Sequence, residues 1–170
     1  MDGEAPKTKR DLRRETTRSE ILQIAGDMFL DVGFAGTSMS AIAARLGGSK
    51  GTLYNYFESK EELLEAFVRV LIGEAARIPE LTRVFWDSGP QAKTRLLARR
   101  LEAARARGEF EAPDCDLAAR QFLALARGAF YFERLLNLTS SSDVEAVRAD
   151  IAASVDLFLK AYPARSDVKG

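Results

Sequence analysis

Lys50, Gly51, Tyr54 and Asn55 are the residues whose types and spacing could do chemistry here, and that chemistry is hydrogen bonding to oxygen and to base edges rather than bond-making. On a helix they share one face, with Thr52 on its flank, while Leu53 and Phe57 at i and i+4, with Tyr56 beside them, turn inward. An ordinary short surface helix would carry Glu, Lys and Gln on its outer side. This one presents a cation, a bare backbone position, a phenol, an amide and a hydroxyl. Such groups suit phosphate oxygens and base edges, and a glycine lets the backbone come close.

The elements that must hold this face lie on either side of it. Met39, Ile42, Ala43 and Leu46 recur at helical spacing. Gly47 and Gly48 come next, where a left-handed cap would need them, and Ser49 is a good N-cap for a new helix at Lys50. Two short helices joined by a glycine turn, the second displaying such groups, form a helix-turn-helix pattern. Thr37 and Ser38 can cap the first of the pair, where backbone N–H groups face an anion. Upstream, a helix over 15–32 buries Ile21, Ile24, Ala25, Met28 and Phe29 and stops at Gly33. Downstream, Ser59 to Glu62 is a capping box that opens a helix running to Pro79. Lys60, in its first turn, opposes the helix dipole, which suits a phosphate partner.

The run SMSAIAARLGGSKGTLYNYFESKEELLEAF, and SKGTLYNYFESKEEL above all, resembles the DNA-binding signature of the TetR/AcrR-type transcriptional regulators. ILQIAGDMFLDVGFAGTS resembles that family's first helix and its Gly-Phe turn, and the C-terminal part, from RARGEFEAPDCDLAARQF to DLFLKAYP, resembles an AefR-like regulatory domain. The resemblance implies an all-α chain with an N-terminal three-helix helix-turn-helix DNA-binding domain over 15–60. A C-terminal helical domain over 61–170 would serve dimerisation and effector binding. It further implies a homodimeric repressor on a palindromic operator of double-stranded DNA, released by a small hydrophobic effector. The expected DNA contacts are Thr37, Ser38, Ser49, Lys50, Gly51, Thr52, Tyr54, Asn55, Tyr56 and Lys60. Lys50 and Asn55 would meet base edges, and Thr37, Ser38, Tyr54, Tyr56 and Lys60 would hold phosphates. RVLIGEAARIPELTRVFWDSGP comes almost directly after EELLEAF, where relatives carry a further helix or two, so a regulator without a working effector pocket is an alternative.

Residues 1–14 are polar, mixed in charge and without apolar period, which predicts a flexible arm. Its Lys7, Lys9, Arg10, Arg13 and Arg14 could also lie along phosphates. Beyond Pro79 come a short helix to Pro90 and a basic one over 91–107, the latter carrying Lys93, Arg95, Arg99, Arg100, Arg105 and Arg107. A helix over 116–138 is apolar nearly all round and so must be covered on more than one side. The last helix opens at a second capping box, Ser142 to Glu145, and ends before Pro163. Phe122, Leu125, Ala129, Phe132, Ile151, Val155 and Phe158 are the expected dimer interface, as two helices meeting their symmetry mates. Phe85, Trp86, Phe122 and Phe130 are the candidate walls of an effector pocket, although for Phe85 and Trp86 a core position is the plainer expectation.

The chain is 170 residues long, 46% hydrophobic and 29% charged, an ordinary globular composition. Lysine and arginine number 25 and so do the carboxylates, so any nucleic-acid footprint must be local. There is no histidine and one cysteine, Cys115, which removes the usual zinc sets and any internal disulfide and fits the cytoplasm. No apolar run is long enough for a bilayer. No nucleophile–base pair or phosphate loop is present, so neither an enzyme nor a cofactor is expected. A helical protein–protein adaptor, using the basic helix 91–107 or the outer side of 116–138, is the alternative from another class.

Overall fold

The computed structural model describes residues 8–138 and 144–163. These are all-α, with no strand among the described residues. The helices are α1 (Lys9–Asp31), α2 (Gly33–Gly36), α3 (Met39–Leu46), α4 (Lys50–Tyr54), α5 (Lys60–Glu74), α6 (Pro79–Ser88), α7 (Pro90–Ala106), α8 (Cys115–Leu135) and α9 (Val144–Ala161). They form two compact units, residues 1–85 and 86–170. The unit that carries the helix pair therefore does not close at residue 60: α5 completes its core.

That core gathers Ile21, Ala25 and Phe29 from α1, Met39, Ile42 and Ala43 from α3, Leu53 and Phe57, and Leu63, Ala66, Phe67 and Leu71 from α5. Gly47 takes the left-handed conformation at φ 75° and ends α3, while the neighbouring N–H of Gly48 donates to Ala43 O. Only the first of the two glycines is required by its φ. Ser49 caps α4 by accepting from Thr52 N–H at 3.1 Å. Ser59 caps α5 by accepting from Glu62 N–H, and the Glu62 carboxylate answers one residue earlier than a capping box would have it, at the N–H of Glu58.

Two polar side chains bind the turns of this unit from inside. The Thr37 hydroxyl, 2% exposed, donates to Gly33 O at 2.8 Å and also lies 3.2 Å from Met28 O. Lys60 Nζ donates to Phe34 O and Thr37 O, each at 2.8 Å, and stands 4.1 Å from the centre of the Phe34 ring. The first residue of α5 thus fastens the carbonyls that end α2 and precede α3.

The start of the chain differs from expectation. Residues 1–7, with Lys7, lie outside the described residues, but the arm's remainder is helix from Lys9 onward. Thr8 and Asp11 form a reciprocal capping box, the Thr8 N–H donating to the Asp11 carboxylate at 3.0 Å and the Asp11 N–H to Thr8 Oγ1 at 3.2 Å. An apolar period reveals helices that are packed; this one begins on local hydrogen bonds, before any core contact.

In the second unit, Phe110, Ala112, Cys115, Ala118 and Phe158 are buried together, with Leu101, Ala104, Phe122 and Tyr162 against them. Phe158 lies 5.8 Å from Phe110, 5.0 Å from Phe122 and 4.9 Å from Tyr162, centre to centre. Phe158 is therefore core rather than dimer interface, and Phe122 is largely committed to it. Of the other interface candidates Leu125, Phe132 and Ile151 are exposed and Val155 is half-buried. The side chain of Ala129 and the expected cap at Ser142 lie outside the described residues. The helix expected over 116–138 is not continuous: Gly128, at φ 57° and ψ −174°, breaks α8. A backbone in that region is open essentially to glycine alone. The Ser154 hydroxyl donates to Leu125 O at 3.1 Å, in the turn before the break.

Two substitutions test how the first unit is held. A Cβ on Gly26 would overlap Phe67 Cε2 and lie 2.8 Å from its Cδ2. Phe67 is itself wedged between Phe29 and Phe85. Gly26→Ala should lower the unfolding free energy by about 1–2 kcal/mol in urea melts, although alanine is the better helix former by about 1 kcal/mol. Lys60→Met, which strips two charge-assisted donors from Phe34 O and Thr37 O, should cost about 1–3 kcal/mol in the same assay.

Candidate nucleic-acid interface

α4 has only five residues, and its orientation is set by what it buries. Leu53 is wholly buried and Phe57 is 1% exposed, both within the first unit's core. Lys50, Gly51, Tyr54 and Asn55 are exposed on the other side, and Thr52 is half-buried. Ser49 Oγ, besides capping the helix, lies 3.0 Å from Thr52 Oγ1, so the two hydroxyls are tied to each other at the helix entrance. Asn55 is the C-cap residue, with its N–H donating to Gly51 O, which leaves its amide side chain at the open end.

Gly51 is informative because the chain itself does not need it. Its φ lies outside the left-handed region, and an added Cβ would meet only Ser49 Oγ, at an ordinary 3.6 Å. A glycine costs a helix about 1 kcal/mol relative to alanine. The position would accept a side chain internally yet carries none, so its backbone is bare at the helix surface.

The other expected contacts divide. Ser38 is exposed and accepts from Ala41 N–H at the start of α3. Tyr56 is half-buried, with the Arg14 guanidinium 5.8 Å above its ring. Thr37 and Lys60, by contrast, direct their polar atoms into the unit, to Gly33, Met28 and Phe34 carbonyls and to Thr37's own carbonyl. The Thr37 hydroxyl is thereby withdrawn from any phosphate, and the Lys60 amine has two of its three donors spent. The apparent misfit of a lysine in a first turn is explained by carbonyls of neighbouring turns.

A residue passed over inside the helix expected over 15–32 is Arg18, whose guanidinium lies 5.0 Å from the centre of the Phe57 ring. With Arg14 it sets two cations of α1 beside the end of the α4 segment. For Arg14 the signal was the Thr8-x-x-Asp11 spacing, which makes the arm helical and continuous with the helix that carries Arg18.

The four aromatics expected to wall a pocket fall in different units, Phe85 in the first and the other three in the second. Phe85 packs edge-on against Phe67 at 5.9 Å in the first unit's core. In the second unit Trp86 is 51% exposed, Phe122 packs on Phe158, and Phe130 is half-buried. The second unit does have an open cleft of about 480 Å³, lined by Arg105, Phe110, Glu111, Tyr162 and neighbours. None of the four lines it. Arg105 donates there to Ala112 O at 3.2 Å, and the Tyr162 hydroxyl donates to Gln121 Oε1. Among the described residues no cluster of side chains could hold a metal, and no helix is long and apolar enough to cross a membrane.

The family model for bacterial regulatory proteins of the tetR family matches residues 21–67, and the model for the C-terminal domain of AefR-like transcriptional repressors matches residues 55–164. The transcriptional repressor KstR2 of Mycolicibacterium smegmatis is 42% identical over 52 residues, 31% of this chain and 25% of that protein. The transcriptional regulator UidR of Escherichia coli is 43% identical over 54 residues, 32% of this chain and 28% of that protein. The matched segment thus spans about a quarter of the length of these curated relatives. Among solved structures, the flavonoid-responsive regulator FrrA is 33% identical, with a TM-score of 0.54, covering 89% of this chain and 100% of that one. A tetR-family regulator from Mesorhizobium loti, at 23% identity and a TM-score of 0.55, covers 92% and 99% and shares the fold. With one model matching the short helix pair and another matching most of the chain beyond it, the chain belongs to the tetR family of bacterial regulatory proteins, a family of transcription regulators rather than of catalysts.

Proposed function

We propose that this protein is a sequence-specific DNA-binding repressor that reads a palindromic operator as a homodimer and is released by a small hydrophobic effector. The observation that carries the reading is the division of α4 between buried Leu53 with Phe57 and an exposed side of Lys50, Gly51, Tyr54 and Asn55. Laid in a major groove, Lys50 donates to guanine acceptors and Asn55 pairs with adenine. Ser38, Ser49, Thr52, Tyr54 and Tyr56 serve the flanking phosphates, and Gly51 admits the sugar–phosphate backbone. Twofold pairing through the exposed apolar residues of α8 and α9, Leu125, Phe132 and Ile151 among them, sets two such helices about one duplex turn apart or a multiple of it.

The effector is supported by the relative named for its response to flavonoids, which this chain matches over that relative's whole length. A flat, largely apolar molecule is accordingly the class to test. It needs only to bind better to the dimer whose reading helices are wrongly spaced. A second reading, a regulator whose affinity is set by dimerisation alone, is favoured by the use of Phe85 and Phe122 as core. Thermal shifts with flat aromatic compounds separate the two. A compound that raises Tm and lowers operator affinity supports release by effector, and uniformly flat shifts support dimerisation alone.

Selection from random duplex DNA should return a palindrome; an absence of any enriched symmetric sequence would refute the reading. On that duplex Gly51→Ala should lose at least about tenfold in affinity, roughly 1.4 kcal/mol, while its unfolding free energy stays level or rises by up to about 1 kcal/mol. Lys50→Ala should relax preference at one base position, by about 1–3 kcal/mol of discrimination, leaving affinity for random DNA little changed.

A further inference from the structure

The first three turns of α1 bury no side chain in the core of their own unit. From Lys9 to Glu20 every side chain is exposed except half-buried Thr17, and burial begins only at Ile21. A solvated helix of this kind is marginal by itself. Here it is continuous with a packed one and closed at its start by the Thr8–Asp11 capping box. At about 3.6 residues per turn its charges are sorted. Over Lys9–Ser19, Lys9, Arg10, Arg13, Arg14 and Arg18 fall on one half of the circumference, and both carboxylates, Asp11 and Glu15, fall on the other; Glu20, the next residue, returns to the cationic half at its far end. In a chain of zero net charge, five cations against two carboxylates in so short a span is a local basic surface.

That surface is continuous with the α4 segment. Arg14 lies over Tyr56 and Arg18 over Phe57, immediately after the exposed Tyr54–Asn55 end. The helix then carries Arg13, Arg10 and Lys9 away from that point. From Lys9 to Glu20 it is about 18 Å long, enough to pass several phosphates spaced about 3.4 Å apart along one strand.

We propose that Lys9–Ser19 is a preformed helical clamp that lies along duplex phosphates outside each half-site and adds affinity without sequence preference. The clamp rests on the proposed DNA-binding function. Its backbone N–H groups beyond the cap are consumed by the helix, so what it offers a duplex is long cationic side chains, which neutralise phosphates. Being helical beforehand, it avoids the ordering cost that a disordered arm would meet on binding.

The test uses the full chain and the triple variant K9Q/R10Q/R13Q, which leaves Arg14 and Arg18 on their aromatic rings. Circular dichroism and Tm should match the wild type, since all three residues are exposed. On a long duplex carrying the selected operator, the slope of log K against log salt should flatten by about 2–3 units per subunit, at about 0.9 per phosphate released. Preference for the operator over random DNA should persist. Trimming the duplex to the half-sites should erase the difference between the two proteins. An unchanged slope on the long duplex, with wild-type binding intact, overturns the clamp alone and leaves the segment as a solvated face or a site for an acidic protein. A wild-type chain that binds no duplex overturns the function and the clamp together.

Discussion

A helix of five residues has no stability of its own, because the first turn costs more conformational freedom than its hydrogen bonds return. α4 therefore exists, and points where it does, because Leu53 and Phe57 are buried among α1, α3 and α5. Full burial of each such side chain contributes about 1.5–3 kcal/mol, and together they make the helix part of the core rather than an appendage to it. The exposed side of Lys50, Gly51, Tyr54 and Asn55 is then oriented by the residues buried behind it. The exposed polar side and the core packing are opposite faces of one short segment.

The same unit is drawn tight by a few polar atoms used inwardly. Short helices leave carbonyls without partners at their ends, and three successive helices here end or begin within the span Asp31 to Met39. Thr37 serves the Gly33 carbonyl and lies at that of Met28, and Lys60 serves those of Phe34 and Thr37. Lys60 also belongs to α5, so a shift of that helix pulls on the entrance to α3. Gly26 contributes by absence: its missing side chain is the space that the Phe67 ring occupies.

The second unit is built on a different plan. Its centre is an aromatic group, Phe110, Phe122, Phe158 and Tyr162, fed by a loop residue and by α8 and α9. Burying Phe158 inward leaves Ile151, Leu157 and Leu159 of α9 outside, with Leu125 and Phe132 of α8. The break at Gly128 divides α8, so its two halves need not present their apolar side chains in the same direction.

The amino-acid pattern by itself determined the all-α class, the helix-turn-helix and the outward side of α4. Those properties come from local spacing: apolar residues at i and i+4, a left-handed Gly47, and Ser49 and Ser59 as caps. Side chains whose partners are remote in sequence were not legible in that way. Phe158 has the same spacing whether it meets its own core or a second subunit, and Lys60 the same position whether it holds a phosphate or two carbonyls more than twenty residues away. The arm of α1 shows no apolar period, because its helix starts from a cap and charged residues. Only the tertiary structure decided those cases, since which groups a side chain finally meets depends on where the chain returns to it.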